Sequence, residues 1–320
     1  MDTTSLYYFI ELSKELHMTR TAERLFISQQ TLSNHILRLE QQLGCRLLDR
    51  KPSLSLTYAG EQVLRFAEDM VRNKDNLERI LAEINEQDRG IIRFGASALR
   101  MNDCLPAILP EFAARYPEVE FRLTDYVSSD LEPMILSGDL DFAIVAEGNE
   151  DPSLIIEPLL DDPVYLCVPE SLLSSYCGDN WRELKRKAMN GADLADFGDL
   201  PFCMFENRLG HKIQQCFAAQ GISPRTRFTG HYSRIITTIG LDGLAAFFGN
   251  RTSLSSRESD IPDDMNIFPL TFQGEPLYQR VRLIRSPRHF MTRYDNYFRE
   301  LIFKHFAELN KQELTRIAPD

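Results

Sequence analysis

The chain has 320 residues, 43% of them hydrophobic, and a formal net charge of −11. That length exceeds one ordinary core and points to two or three domains, while the acidity counts against a protein that holds nucleic acid through bulk charge, so any such contact must be local. Six cysteines form no C-x-x-C pair and have no histidine at zinc spacing, which argues against a metal or cofactor site and for incidental thiols in a reducing compartment, with Cys203 and Cys216 as the alternative redox pair. No basic-then-apolar leader opens the chain and no apolar run approaches the ~20 residues a bilayer span needs, so a cytoplasmic protein without membrane contact is expected.

Ser5 to Leu16 puts Leu6, Phe9, Ile10 and Leu16 near one helical face. Thr19 to Leu43 follows as two short helical patterns joined by a break at Phe26-Ile27-Ser28. In the first, Ala22 and Leu25 face inward. In the second, Leu32, Ile36, Leu39 and Leu43 recur at steps of four, three and four, which places them on one side of a 3.6-residue helix and requires their burial. Ser28 suits the N-cap and Gly44 the left-handed C-terminal position. The opposite face carries Gln30, Ser33, Asn34, Leu37, Arg38 and Gln41, with Gln29 at its N-terminal rim. Gln and Asn offer the donor and acceptor that adenine presents in the major groove, and Ser reads base or phosphate. The pair is therefore a helix-turn-helix, or a helical hairpin with a solvated outer face.

Arg46 to Arg50 and Leu54 to Leu56 alternate as short strands around a basic turn, Lys51-Pro52-Ser53. Such a hairpin is a wing, and Arg50 and Lys51 at its tip would meet phosphates. The run ISQQTLSNHILRLEQQLGCRLLDR followed by LTYAG resembles the winged helix-turn-helix of the LysR-type transcriptional regulators. Two departures from that pattern matter. Gln30 stands where Pro is frequent, and Asn34 and Leu37 stand where basic residues are common, so fewer phosphate contacts and a different site preference are implied. From the Lys and Arg residues of this stretch, a local basic face is expected.

Thr57 can cap a long helix from about Tyr58 to Asp88. Val63, Ala67, Met70, Lys74, Leu77, Leu81 and Ile84 alternate steps of four and three, a heptad seam that asks for a partner helix and makes this the expected dimerisation helix. Lys74 is the polar seam residue that would fix register.

Beyond Gly90 the pattern alternates between strand and helix. Strands are expected at Ile91–Gly95, Val119–Leu123 and Phe142–Val145, with helices at Pro106–Tyr116, Leu131–Leu136 and Thr292–Leu309, and the alternation continues through Val164–Val168, Phe202–Phe205, Lys212–Gln220, Ile235–Ile239, Leu244–Phe248 and Val281–Ile284. That alternation marks a parallel sheet with crossover helices. LPAILPEFAARYPEVEFRL and SGDLDFAIV resemble the start of the same family's effector domain, which is similar to periplasmic binding proteins and has two α/β lobes around a cleft. The whole then reads as a mainly α winged helix-turn-helix (1–58), a linker helix (59–88) and a two-lobed α/β effector-binding domain (91–320). Lobe one takes 91–162 and 274–320, and lobe two takes 163–273. Tyr176 to Asp199, irregular and carrying the single Trp181, is expected to be a solvated surface insertion.

Ligands of open α/β sheets sit beyond the carboxyl ends of strands, at helix N-termini. Those places here are Ser97, Leu99 and Arg100, then Ser128 and Ser129, then Phe205 to Arg208, then Tyr232 and Ser233. Hydroxyls, helix N-termini and Arg100 would suit a small anion such as a carboxylate, whereas Asp242 and Glu147 would oppose one. Each Ser is equally suited to plain capping.

These expectations combine into a ligand-responsive, DNA-binding regulator acting as a dimer or tetramer, with RNA polymerase as a further partner. A small-molecule binding module, or a regulator with no small-molecule effector, is the alternative. Catalysis is not expected. His211, His231 and Cys104 lie in no recognisable nucleophile elbow, phosphate loop or metal spacing.

Overall fold

A computed structural model of the chain describes residues 2–51, 53–85, 88–147, 151–231, 233–311 and 314. The chain divides into two compact units, Met1–Gln87 and Asp88–Asp320.

In the first unit, α1 (Thr3–Glu15), α2 (Met18–Arg24) and α3 (Gln29–Leu43) precede a hairpin of β1 (Leu48–Asp49) and β2 (Ser55–Leu56), and α4 (Tyr58–Ile84) follows. The stripe of α3 is buried as its spacing requires, with Leu32, Ile36 and Leu39 fully enclosed against Leu6, Phe9 and Ala22. Leu43 departs from the expectation. It is 37% exposed, because the helix ends there at left-handed Gly44 and runs past the core it packs on. The hairpin pairs Leu48 with Leu56 and Asp49 with Ser55 in antiparallel register, which is the expected wing. Thr57 caps α4 by accepting from Gly60 N at 3.0 Å. Ala67 of α4 is buried with this core, whereas Met70, Leu77, Leu81 and Ile84 of the seam are exposed. Lys74 pairs with Glu78 on its own helix at 2.5 Å.

The second unit runs β3 (Arg89–Ala96), α5 (Ala98–Arg115), β4 (Glu118–Asp125), α6 (Ser128–Ser137), β5 (Phe142–Ala146), β6 (Ile155–Pro169), α7 (Glu170–Tyr176), α8 (Trp181–Ala188) and β7 (Ala192–Asp193). It continues with β8 (Pro201–Phe205), α9 (Arg208–Ala219), β9 (Arg225–Gly230), α10 (Ser233–Leu241), β10 (Phe247–Asn250), α11 (Arg251–Ser255), β11 (Met265–Phe272), β12 (Glu275–Pro276), β13 (Tyr278–Arg285) and α12 (Arg293–Leu309). One aromatic-rich core surrounds Phe94, Phe112, Phe142 and Phe298. A second encloses Phe202, Phe217, Phe247, Phe248 and Phe268. Two α/β lobes result, and β6, 15 residues long, contributes Leu160 to the first core and Val164 to Val168 to the second.

Three local expectations are corrected. The sheet is mixed: β3 pairs β4 and β5 in parallel, but β13 runs antiparallel to β5 and β6, and β10 and β11 run antiparallel to β6. Strands that return from one lobe to the other must reverse direction, which a pattern of alternating elements does not encode. Helix α5 starts eight residues before Pro106 and carries Pro106 and Pro110 inside it. Both prolines lie on its exposed side, where the freed carbonyl can turn to water. The stretch from Tyr176 to Asp199 is no solvated insertion. Its β7 joins β11 in parallel, and Ala188, Ala192, Leu194 and Phe197 are buried in the second core.

Candidate functional site

Helix α3 owes its start to Ser28, whose Oγ accepts from Thr31 N at 3.0 Å. With the apolar stripe turned inward, Gln29, Gln30, Asn34, Leu37, Arg38 and Gln41 are exposed and Ser33 is half-buried. Gln30 Nε2 donates to Asn34 Oδ1 at 3.1 Å, which orients two amides on adjacent turns and leaves further donors and acceptors outward. His35 was not foreseen. Its ring lies 2.9 Å from Ser5 Oγ and edge-on to Tyr8, fixing the rotation of α3 on α1. No spacing rule could reveal that contact, because Ser5 and His35 are far apart in the chain.

The basic face is narrower than composition implies. Arg24 donates to Glu15 Oε1 at 2.6 Å, to the Glu11 carboxylate and to the Glu11 carbonyl, so its charge is neutralised locally. Glu40 accepts from the N–H groups of Leu47 and Leu48 and stands 4.0 Å from the Arg50 guanidinium, tying the wing to α3. Arg20, Arg38, Arg46, Arg50 and Lys51 remain exposed. Pro52 of the wing turn lies outside the described residues.

In the second unit the expected anion-binding groups are engaged by the chain itself. Ser97 stands at the N-cap of α5, but Asp125 Oδ1 takes the helix's Ala98 N–H at 2.7 Å. Arg100 reaches inward, with one nitrogen 3.4 Å from Ser97 Oγ and another 3.3 Å from Gln279 Oε1. Gln279 Oε1 also accepts from Asn250 Nδ2 at 2.7 Å. Burial lowers the pKa of Arg100, against the opposing pull of the Asp162 and Asp103 charges, and burial raises the pKa of both those carboxyls. This network joins α5, β13 and β10, the last from the second lobe. Ser128 Oγ accepts from Ala146 N at 2.9 Å, and Ser129 is exposed. Leu99 is half-buried and Phe205 buried. Tyr232 and the side chain of Ser233 lie outside the described residues.

Between the lobes stand two ionic contacts built from residues distant in the chain. Arg208, in the first turn of α9, donates to both oxygens of Glu132 on α6 at 2.8 Å, to the Ala146 carbonyl at 2.9 Å and to the Glu147 carbonyl. Lys212, one turn later, reaches Glu147 Oε1 at 2.6 Å and the Tyr278 carbonyl at 2.7 Å. The i,i+4 spacing of Arg208 and Lys212 was a legible signal of one helical face. Their partners, more than 60 positions away, were not. Glu147 itself holds a positive φ of 30°, a strained setting for a residue with a side chain.

Residues 85–307 match the family described as "LysR substrate binding domain", and residues 3–61 match "Bacterial regulatory helix-turn-helix protein, lysR family". Among curated proteins, the uncharacterized HTH-type transcriptional regulator YcgK of Bacillus subtilis is 36% identical over 174 residues, 53% of either chain. The transcriptional activator IlvY of Haemophilus influenzae is 31% identical over 192 residues, 58% of this chain and 65% of that protein. The matched segments thus span about half the length of the first such relatives. Among solved structures, full-length OxyR C199D from Pseudomonas aeruginosa superposes with a TM-score of 0.64 at 20% identity, covering 96% of this chain and 94% of that one. CbnR bound to its target DNA superposes with a TM-score of 0.57 at 19% identity, covering 95% and 100%. At those identities the likeness concerns the fold. No described helix is long and apolar enough to cross a membrane.

Proposed function

The chain belongs to the LysR family of bacterial regulators, and from that premise we propose that it is a ligand-responsive, DNA-binding transcription regulator working as a dimer or tetramer. The observation that carries this reading is the face of α3. Gln29, Gln30, Asn34 and Arg38 are exposed side by side, while the opposite stripe is sealed in the core. Gln29, Gln30, Ser33 and Asn34 read base edges in the major groove, and Arg38, Arg50 and Lys51 meet phosphates. Two such readers joined through the exposed seam of α4 bind adjacent half-sites, which compensates for a modest basic face through effective concentration. The effector acts on the two lobes. By favouring one closure it changes the spacing of the readers, the bend of the DNA or the contact with RNA polymerase.

Footprinting on DNA upstream of the chain's own gene tests the proposal. Sequence-selective protection is expected, and Gln29→Ala combined with Ser33→Ala removes it. A wild-type protein that protects no sequence over another would end this reading.

One observation favours a second version, in which no anionic effector is bound. Asp125 and Glu132 already answer the α5 N-terminus and Arg208, and Ser97 and Gln279 already accept from Arg100. A carboxylate effector at Ser97, Leu99, Arg100, Ser128, Ser129, Phe205, Tyr232 and Ser233 would have to displace one of these groups. Thermal shift against a panel of small carboxylates separates the versions, since a ligand that binds only the native state raises its melting temperature.

A further inference from the structure

Phe26 follows the C-cap of α2 with a φ of 55°. Its N–H donates to the Glu23 carbonyl at 3.1 Å, and the N–H of Ile27 donates to the Ala22 carbonyl at 3.0 Å. This bond pair is the Schellman ending, whose left-handed residue is usually glycine because a Cβ crowds the neighbouring carbonyl. A bulky aromatic is strained there. The ring recovers nothing from the described residues, for Phe26 is 97% exposed, the most open large hydrophobic among them. Its neighbours obey the rules that it breaks. Ala22 is buried, Ile27 half-buried, and Ser28 caps α3. Strained, locally inconsistent choices with no compensating contact in the fold collect at functional positions.

We propose that Phe26 is a specificity-determining contact of the DNA-reading surface, its ring packing on the 5-methyl group of a thymine beside the groove that α3 enters. The inference rests on the DNA-binding reading above. Phe26 stands two residues before the N-cap of α3 and three before Gln29, so it flanks the end of the helix that leads into the groove. Thymine is the base whose major-groove edge carries a methyl group, and phenylalanine is a side chain suited to it. The surroundings favour DNA over another protein. Arg24, Ser28, Gln29, Gln30 and Thr31 are exposed around a single apolar ring, as in a polar, wet nucleic-acid interface. A stable protein contact needs a broader apolar surface.

The test uses the full chain and duplexes that the wild type selects from a random-sequence pool. Phe26→Gly and Phe26→Asn both tolerate the left-handed backbone, so neither threatens the fold, and Phe26→Gly melts at a higher temperature than wild type. Both bind the selected duplex about tenfold more weakly, a loss in the range of one base-edge contact. Replacing each thymine of a half-site by uracil in turn finds one position that weakens the wild type to a similar degree and leaves Phe26→Gly unaffected. Wild-type affinity in both variants would overturn the proposal, as would a uracil effect that persists in Phe26→Gly. A loss of affinity that tracks loss of assembly in sedimentation would overturn it too, assigning the ring to a second copy of the chain. If the wild type selects no duplex, the DNA-binding reading falls and takes this contact with it.

Discussion

The guanidinium of Arg208 and the carboxylate of Glu132 face each other fork to fork, two bonds of 2.8 Å linking α9 of one lobe to α6 of the other. Both side chains are largely shielded, 25% and 20% exposed, so water screens the pair only in part. The same guanidinium donates to two main-chain carbonyls at the end of β5. The closure observed here is therefore held by groups that an opening motion must separate.

Arg208→Ala leaves Glu132 and two carbonyls without their donor and should lower stability by about 2 kcal/mol, within the range for bonds to a charged group. Glu132→Gln keeps the shape and should cost less. Urea denaturation of both variants measures this. Small-angle scattering should show a more open second unit for Arg208→Ala, and unchanged scattering would deny the pair any part in holding the lobes together.

The exposed seam of α4 predicts assembly. Leu77 is 54% exposed and Ile84 70%, and a row of such residues on one helix is costly unless a partner covers it. Leu77→Glu with Leu81→Glu should yield monomers in sedimentation at concentrations where wild type is dimeric or larger. Helical content by circular dichroism should change little, because these positions contribute nothing to the described cores.

Thiol chemistry separates the cysteines. Burial pushes the Cys104 thiol up to about 12 and the Cys203 thiol up to about 11, and raises those of Cys167 and Cys216 as well. Cys45 is exposed. Alkylation of the native protein at about pH 8 should label Cys45 first and spare Cys104, Cys167 and Cys203 until denaturant is added, since the thiolate is the reactive form. Rapid native labelling of Cys203 and Cys216 would revive the redox pair.

His305 on α12 imposes a pH dependence. Burial lowers its pKa from the ordinary 6.5, so the unfolded chain takes up the proton before the native one does. Stability contributed by the neutral ring is thus fully present above about pH 6.5 and is lost as pH falls toward the native value. His305→Leu should flatten this part of the stability profile between pH 7.5 and 5. An unchanged slope in denaturant titrations would mean that other groups set it.

Cap loss is the simplest check on α3. Ser28→Ala removes the acceptor for Thr31 N and should cost about 1 kcal/mol in thermal or urea melts. DNA affinity should fall with it only as far as α3 frays.

What the sequence determined by itself was whatever repeats within one or two helical turns. The stripe of Leu32, Ile36 and Leu39, the Ser28 and Thr57 caps, the short wing and the seam of α4 follow from local periodicity and capping chemistry, which act over a few residues. The exposed polar face of α3 was legible as the complement of that buried stripe. What only the tertiary structure decided depends on groups distant in the chain. The bond between Ser5 and His35, the antiparallel return of β13 beside β6, and the burial of Ala192 and Phe197 have no local signature. The polar residues at the helix N-termini were the least legible, because a serine or arginine has the same local character whether it awaits a ligand or answers the chain's own groups. Ser128 meets Ala146 and Arg208 meets Glu132 because the fold brings carboxylates and main-chain groups to them, and a desolvated polar group must find such a partner wherever the fold supplies one.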